Sequence, residues 1–142
     1  MKKLFLYLFT LALLGCQELT TSSKKLSLDY SDFEDNHIEW TEIFNFPMDS
    51  YYVYIYSPTC GHCKDIKEYV LQFAYLNKDG FYFVTYSSEI TVITNVESVI
   101  GKDNYQDVGI VGTPTLFLIQ NHILSNVFTG SKEIIATMYN SD

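Results

Sequence analysis

Residues 51–63 read Tyr-Tyr-Val-Tyr-Ile-Tyr-Ser-Pro-Thr-Cys-Gly-His-Cys, and that order leaves a short chain few ways to fold. Aromatic and β-branched residues in an unbroken run without charge predict a buried strand over Tyr51 to Tyr56, which Ser57-Pro58 then ends. From Cys60 onward, Ile66, Tyr69, Val70, Phe73 and Leu76 recur at three- and four-residue intervals, while Lys64, Asp65, Lys67, Glu68 and Gln72 fill the other face. That periodicity predicts a helix, with Gly80 as its stop signal. Two thiols, Cys60 and Cys63, are therefore expected in the first turn of a helix that a buried strand feeds directly.

The rest of the chain continues the alternation. Phe81 to Tyr86 is a second strand by composition, and Val92, Val96 and Val99 are spaced weakly as a helix within Ser88 to Lys102, against their β-branched preference. After Gly112-Thr113-Pro114, the runs Thr115 to Ile119 and Ile123 to Phe128 flank Gln120-Asn121-His122 and predict a hairpin. Gly130-Ser131 closes it, and Ser131 is expected to cap a final helix through about Tyr139, with Glu133 in the first turn. Strand, helix, strand, helix, hairpin, helix specifies an α/β fold. Tyr52, Tyr54 and Tyr56 share one strand face and are expected to pack against helices rather than form a recognition surface.

A chain of 142 residues with 47% hydrophobic residues supports one packed domain plus an accessory segment. Nine lysines, no arginine and 17 Asp plus Glu give a formal charge of −8. Such acidity provides no footprint for phosphate backbones and argues against nucleic-acid partners.

The N-terminus reads as an address. Lys2 and Lys3 precede the apolar run Leu4 to Leu14, which is too short to span a bilayer and of the length of a signal-peptide core. Leu13-Leu14-Gly15-Cys16 resembles the lipobox of bacterial lipoproteins, although Leu14 is bulkier than the residue usual there. The resemblance implies removal of 1–15, acylation of Cys16 and anchoring at the outer face of a membrane. An ordinary signal peptide with an incidental cysteine is the plainer alternative. Removing 1–15 takes two lysines and no carboxylate, so the formal charge falls from −8 to −10. Residues 16–36, polar and rich in Ser, Thr and Lys, are expected to be a lipid-anchored flexible tether, and 37–142 the folded domain.

The chemistry is expected at Cys60-Gly61-His62-Cys63. Free N–H groups and the positive end of the dipole at a helix start stabilise a thiolate, so Cys60 is the expected nucleophile and Cys63, one turn inward, the resolving thiol. An imidazole at His62 favours that thiolate over the disulfide and shifts the couple toward the oxidising half of a range from about −270 to about −180 mV. Two other readings compete. A zinc site needs two more ligands, for which His37 and His122 are the natural donors, yet they form no spaced pair. A structural disulfide closing so short a loop would constrain the unfolded chain little. Otherwise His37 and His122 read as surface residues, and Lys64 and Lys67 as a solvated helix face.

Ser57-Pro58-Thr59-Cys60-Gly61-His62-Cys63-Lys64 after a buried strand, and Val111-Gly112-Thr113-Pro114-Thr115 some fifty residues later before another, resemble the two signatures of the thioredoxin superfamily. The Cys-Gly-His-Cys form is the one found in protein disulfide isomerases. The resemblance covers about residues 37 to 142. It implies a thioredoxin-like fold, a central mixed β-sheet flanked by helices with a C-terminal hairpin plus helix. It also implies a redox-active Cys60-Cys63 pair in place of any other cofactor, a cis Pro114 facing the dithiol, and a Thr113 backbone that pairs with bound peptide. The chain departs from the pattern at Tyr54, where many thioredoxins place a buried carboxylate that takes the resolving thiol's proton, and at Tyr56, where Trp is usual. A tyrosine is a poor base at neutral pH, so water, His62, Glu89 or no dedicated group is left to serve, and slow resolution is expected.

These readings converge on a membrane-anchored, extracytoplasmic thiol-disulfide oxidoreductase that forms, isomerises or reduces disulfides in exported proteins. Cys16 being the only further cysteine, a separate redox partner must reset the pair. The alternative is a non-catalytic lipoprotein that keeps the fold as an accessory or docking factor for exported peptides.

Overall fold

The computed structural model describes residues 27–140; the signal segment, Cys16 and most of the expected tether lie outside them. Strand β1 (Ser50–Tyr56) leads into helix α1 (Gly61–Leu76), and β2 (Phe81–Thr85) follows. After a long irregular segment come β3 (Thr115–Gln120), β4 (Ile123–Thr129) and α2 (Gly130–Tyr139). The sheet order is β2-β1-β3-β4, with β1 parallel to β2 and the other two pairings antiparallel. A parallel pair requires a crossover, and α1 is that crossover. The β3–β4 turn holds Asn121 at φ 50° and His122 at φ 62°, the left-handed pair a two-residue hairpin loop needs.

Side chains alternate across the sheet, so β1 divides the core in two. On one face Tyr54 and Tyr56 join Phe81, Phe83 and Leu116 under Ile66 and Val70 of α1 and Ile134 and Met138 of α2. On the other, Tyr51, Val53, Ile55, Phe117 and Ile119 lie beneath Trp40, Ile43, Ile90, Val99, Val108 and Ile110. The three tyrosines on the α1 face pack as expected, with Tyr54 fully buried.

Three expectations need correction. First, Ser88 to Lys102 is not a helix. Its one regular piece is a 3-10 turn at Val96–Ser98, where the Asn95 side chain accepts from the Glu97 N–H at 3.0 Å. Val92, spaced with Val96 and Val99 as if along a helix, instead bridges Ile110 and is 63% exposed. β-Branched residues favoured extended backbone over the weak helical spacing. Second, the domain begins before residue 37. Tyr30–Asn36 forms a 3-10 helix with a capping box between Asp29 and Asp32, and it buries Phe33 and Asn36. Asn36 Nδ2 donates to the carbonyls of Lys78 at 2.6 Å and Phe81 at 2.9 Å, which fixes the segment against the turn before β2. Third, Thr129 rather than Ser131 is the N-cap of α2. Its N–H donates to the Glu133 carboxylate at 2.8 Å, while the Ser131 hydroxyl donates to the His62 carbonyl.

Candidate active site

Cys60 is the N-cap of α1, in extended backbone, so its sulfur turns back over the helix start. There it accepts from the Cys63 N–H at 3.2 Å, and as a thiol it donates to the Thr113 carbonyl at 3.3 Å. Cys60 is half-buried and Cys63 only 2% exposed; both are free thiols. The environment drives them apart. Burial alone would raise Cys60, but hydrogen bonds from the Cys63 thiol, the Thr113 side chain and the N–H groups of Cys63 and His62 outweigh it and lower its pKa below the ordinary thiol value. Burial first, then the Cys60 side chain, pushes Cys63 up to about 11. A nucleophile at the rim and a protonated thiol beneath it can form and then cleave a mixed disulfide in sequence.

The loop facing Cys60 is held from two sides. The Thr113–Pro114 peptide is cis, and Pro114 is buried. The Gly130 N–H donates to the Pro114 carbonyl at 3.1 Å, and the Thr115 hydroxyl to the Gly112 carbonyl at 2.7 Å. Upstream, Ile110 pairs with the 91–93 segment through bonds of 3.0 Å to Thr91 and 2.9 Å from Ile93. At Gly109 a Cβ would collide with the Thr91 carbonyl oxygen, so only glycine permits this approach.

The family model for thioredoxin matches residues 31–140. The chain belongs to the thioredoxin family. Among solved structures this thioredoxin-family chain is similar to one in the crystal structure of a ferredoxin:thioredoxin reductase and thioredoxin f2 complex, at TM-score 0.53 and 15% identity, covering 75% of this chain and 93% of that one. Chlamydomonas reinhardtii thioredoxin f2 is similar at TM-score 0.49 and 18% identity, with 73% and 93% of the two chains covered. Mitochondrial thioredoxin 3 of Saccharomyces cerevisiae is similar at TM-score 0.49 and 16% identity, with 76% and 92% covered. No curated protein matches the chain. At 15% identity and TM-score 0.53, the likeness to the thioredoxin f2 complex chain speaks for the fold alone.

Of the residues expected at the site, Cys60, Gly61, His62, Cys63, Thr113 and Pro114 come together. Gly61 is exposed at the helix start, and His62 faces solvent with Nδ1 3.9 Å from Asp65 Oδ2. Glu89 is exposed beyond β2, and His122 sits at the hairpin turn. His37 departs from the surface role expected of it. Its Nδ1 lies 3.0 Å from the Phe33 carbonyl and its Nε2 3.0 Å from the Tyr56 hydroxyl. Because a carbonyl only accepts, Nδ1 carries a proton, and in the neutral ring Tyr56 donates to Nε2.

Tyr30 falls within the segment expected to be a tether, yet it belongs to the site. Its ring stacks on Tyr56 at 4.1 Å, and Lys67 sits 5.0 Å above it while pairing with Asp29 at 3.1 Å. A pocket of about 210 Å³ between Tyr30, Tyr56, Pro58 and Lys67 opens beside Cys63. The sequence signal was available in Asp29-Tyr-Ser-Asp32, a capping pattern followed at once by Phe33.

Proposed function

We propose that this chain is a thiol-disulfide oxidoreductase, anchored by a lipid on Cys16 outside the cytoplasm, that forms, isomerises or reduces disulfides in exported proteins. The opposed shifts of the two thiols carry the reading: Cys60 is lowered and Cys63 is raised. The Cys60 thiolate attacks a substrate disulfide and releases one substrate thiolate. Cys63 then attacks Cys60, the dithiol is oxidised and the substrate reduced; the reverse sequence oxidises a substrate dithiol. The Thr113 backbone beside Cys60 is suited to pair with an extended substrate segment. Beyond Cys16 the chain has no third thiol to reset the pair, so a separate membrane or extracellular redox protein is required.

The test is whether Cys63→Ser traps substrates as mixed disulfides in intact cells while Cys60→Ser reproduces the phenotype of the deletion strain. A Cys60→Ser chain that sustains the wild-type phenotype would replace this reading with the docking one. Labelling of Cys16 by radioactive palmitate tests the anchor. Equilibration with glutathione decides direction: about −270 mV or lower places the chain among reductants, about −180 mV or higher among oxidants.

A further inference from the structure

Resolution by Cys63 requires somewhere for its proton to go, and no carboxylate is among the residues lining the pocket beside it. Two phenols are close instead. The hydroxyls of Tyr30 and Tyr54 are buried close enough to interact weakly with each other, yet no group lies in regular hydrogen-bond geometry to either, and no other buried side-chain N or O atom among the described residues is left so. Burial holds both far above the ordinary tyrosine value, and each also feels the other and Cys63. Neither phenol is therefore a base at neutral pH. A buried polar atom left unpaired is costly, and two beside one buried thiol form a polar site within an aromatic wall. Three polar groups are enough to hold one water.

We propose that Tyr30 and Tyr54 bind a water molecule against Cys63 and are positioning residues that aim it at the resolving thiol's proton. The inference rests on the redox reading above. A phenol oxygen accepts as well as donates, so the pair can take the water's hydrogens and leave its lone pair for the Cys63 S–H. With substrate on Cys60, the Cys63 proton passes to this water and leaves through the pocket between Tyr30, Tyr56 and Pro58. The Cys63 thiolate attacks the Cys60 sulfur, the Cys60–Cys63 bond forms, and the bond from Cys60 to the substrate breaks. The substrate departs as a thiolate and takes a proton from solvent, so the dithiol gives up two electrons and the substrate disulfide accepts them. Tyr30 is held for this role by its stack on Tyr56 and by Asp29 and Lys67.

The test uses full-length Tyr30→Phe, Tyr54→Phe and the double variant with a peptide disulfide, timing the mixed disulfide by rapid acid quench across pH. At pH 7 Tyr54→Phe and the double variant are expected to hold it about tenfold longer than wild type, with the first attack by Cys60 unchanged. The gap should close as pH nears the titration of Cys63, where hydroxide removes the proton directly. A wild-type lifetime in the double variant overturns the proposal. So does a higher Tm for Tyr54→Phe, because a dry orphan hydroxyl is better removed, whereas an equal or lower Tm supports a bound water. If wild type forms no mixed disulfide, the redox reading fails, and the Tm comparison still decides the water site.

Discussion

The backbone N–H of Cys63 points at the Cys60 sulfur across 3.2 Å, so the residue carrying the resolving thiol also stabilises the attacking one. Main chain and side chain of Cys63 thereby serve different partners. The amide belongs to the exposed start of α1, while the sulfur lies in the core with Ile66 and Val70.

Alkylation should follow this division. At about 11, Cys63 is thiolate in roughly one molecule in ten thousand at pH 7, and it is buried as well. Iodoacetamide at pH 7 is expected to modify Cys60 at least about 100-fold faster, as read by peptide mass spectrometry. Cys63→Ser keeps the amide donor and should leave Cys60 with most of its reactivity. Equal labelling of both thiols would remove the assignment of roles.

The same shifts give the reduced protein a stability maximum on the alkaline side of neutrality, as far as the dithiol contributes. Cys60, lowered, adds stability that is present above the ordinary thiol value and is lost as pH falls through its folded value. Cys63, raised, adds stability that is full below the ordinary thiol value and is lost as pH climbs through about 11. Its share is at most about 2–3 kcal/mol. Tyr51, raised by burial to about 12, acts in the same direction as Cys63. Urea midpoints of the reduced chain should fall between about pH 9 and 11, and less steeply in Cys63→Ala. Parallel declines in the two proteins would sink this attribution.

What could be read from the sequence was what strong local patterns encode. β1, α1, β2 and the hairpin follow their runs to within a residue or two, because uninterrupted apolar composition and a clean 3.6 period each have one low-energy solution. The dithiol was visible at the start of that helix, whereas the site roles of Thr113 and Pro114 were implied only by the resemblance to the thioredoxin superfamily. The segment after β2 was not visible, since Val92 and Ile110 meet through backbone pairing that a period of valines does not announce. Tyr30 and His37 were missed because their roles depend on Tyr56, a partner distant in sequence, and because a polar, charged setting disguised Phe33 as part of a tether.

The N-terminal boundary is directly testable. Phe33 is 2% exposed against the α1 face of the sheet, so Phe33→Ala should cost about 3–5 kcal/mol. Asn36→Ala would leave the Lys78 and Phe81 carbonyls without their side-chain donor, at about 1–3 kcal/mol. A chain beginning at residue 27 should melt like the full-length protein, and one beginning at 37 should melt far lower or fail to fold. Matching Tm values for the two truncations would restore the tether to residue 36.

Two glycines near the site should respond in opposite ways. A methyl at Gly109 would run into the Thr91 carbonyl oxygen and lie 2.8 Å from Ile93 Cγ2. The backbone must therefore move, and Gly109→Ala should cost about 1–3 kcal/mol. The displaced strand pair leads within a few residues to Thr113, whose carbonyl faces Cys60 at 3.3 Å, so disulfide reduction should slow as well. Gly61 lies between the reactive thiol and His62, yet a methyl there would meet nothing within 4 Å, and its φ lies outside the left-handed region. Gly61→Ala should keep its Tm or gain slightly from better helix propensity. Thermal melts and an insulin reduction assay on both variants check the pair. If Gly109→Ala were as stable and active as wild type, the close contact with Thr91 would not be what holds the Thr113 loop in place.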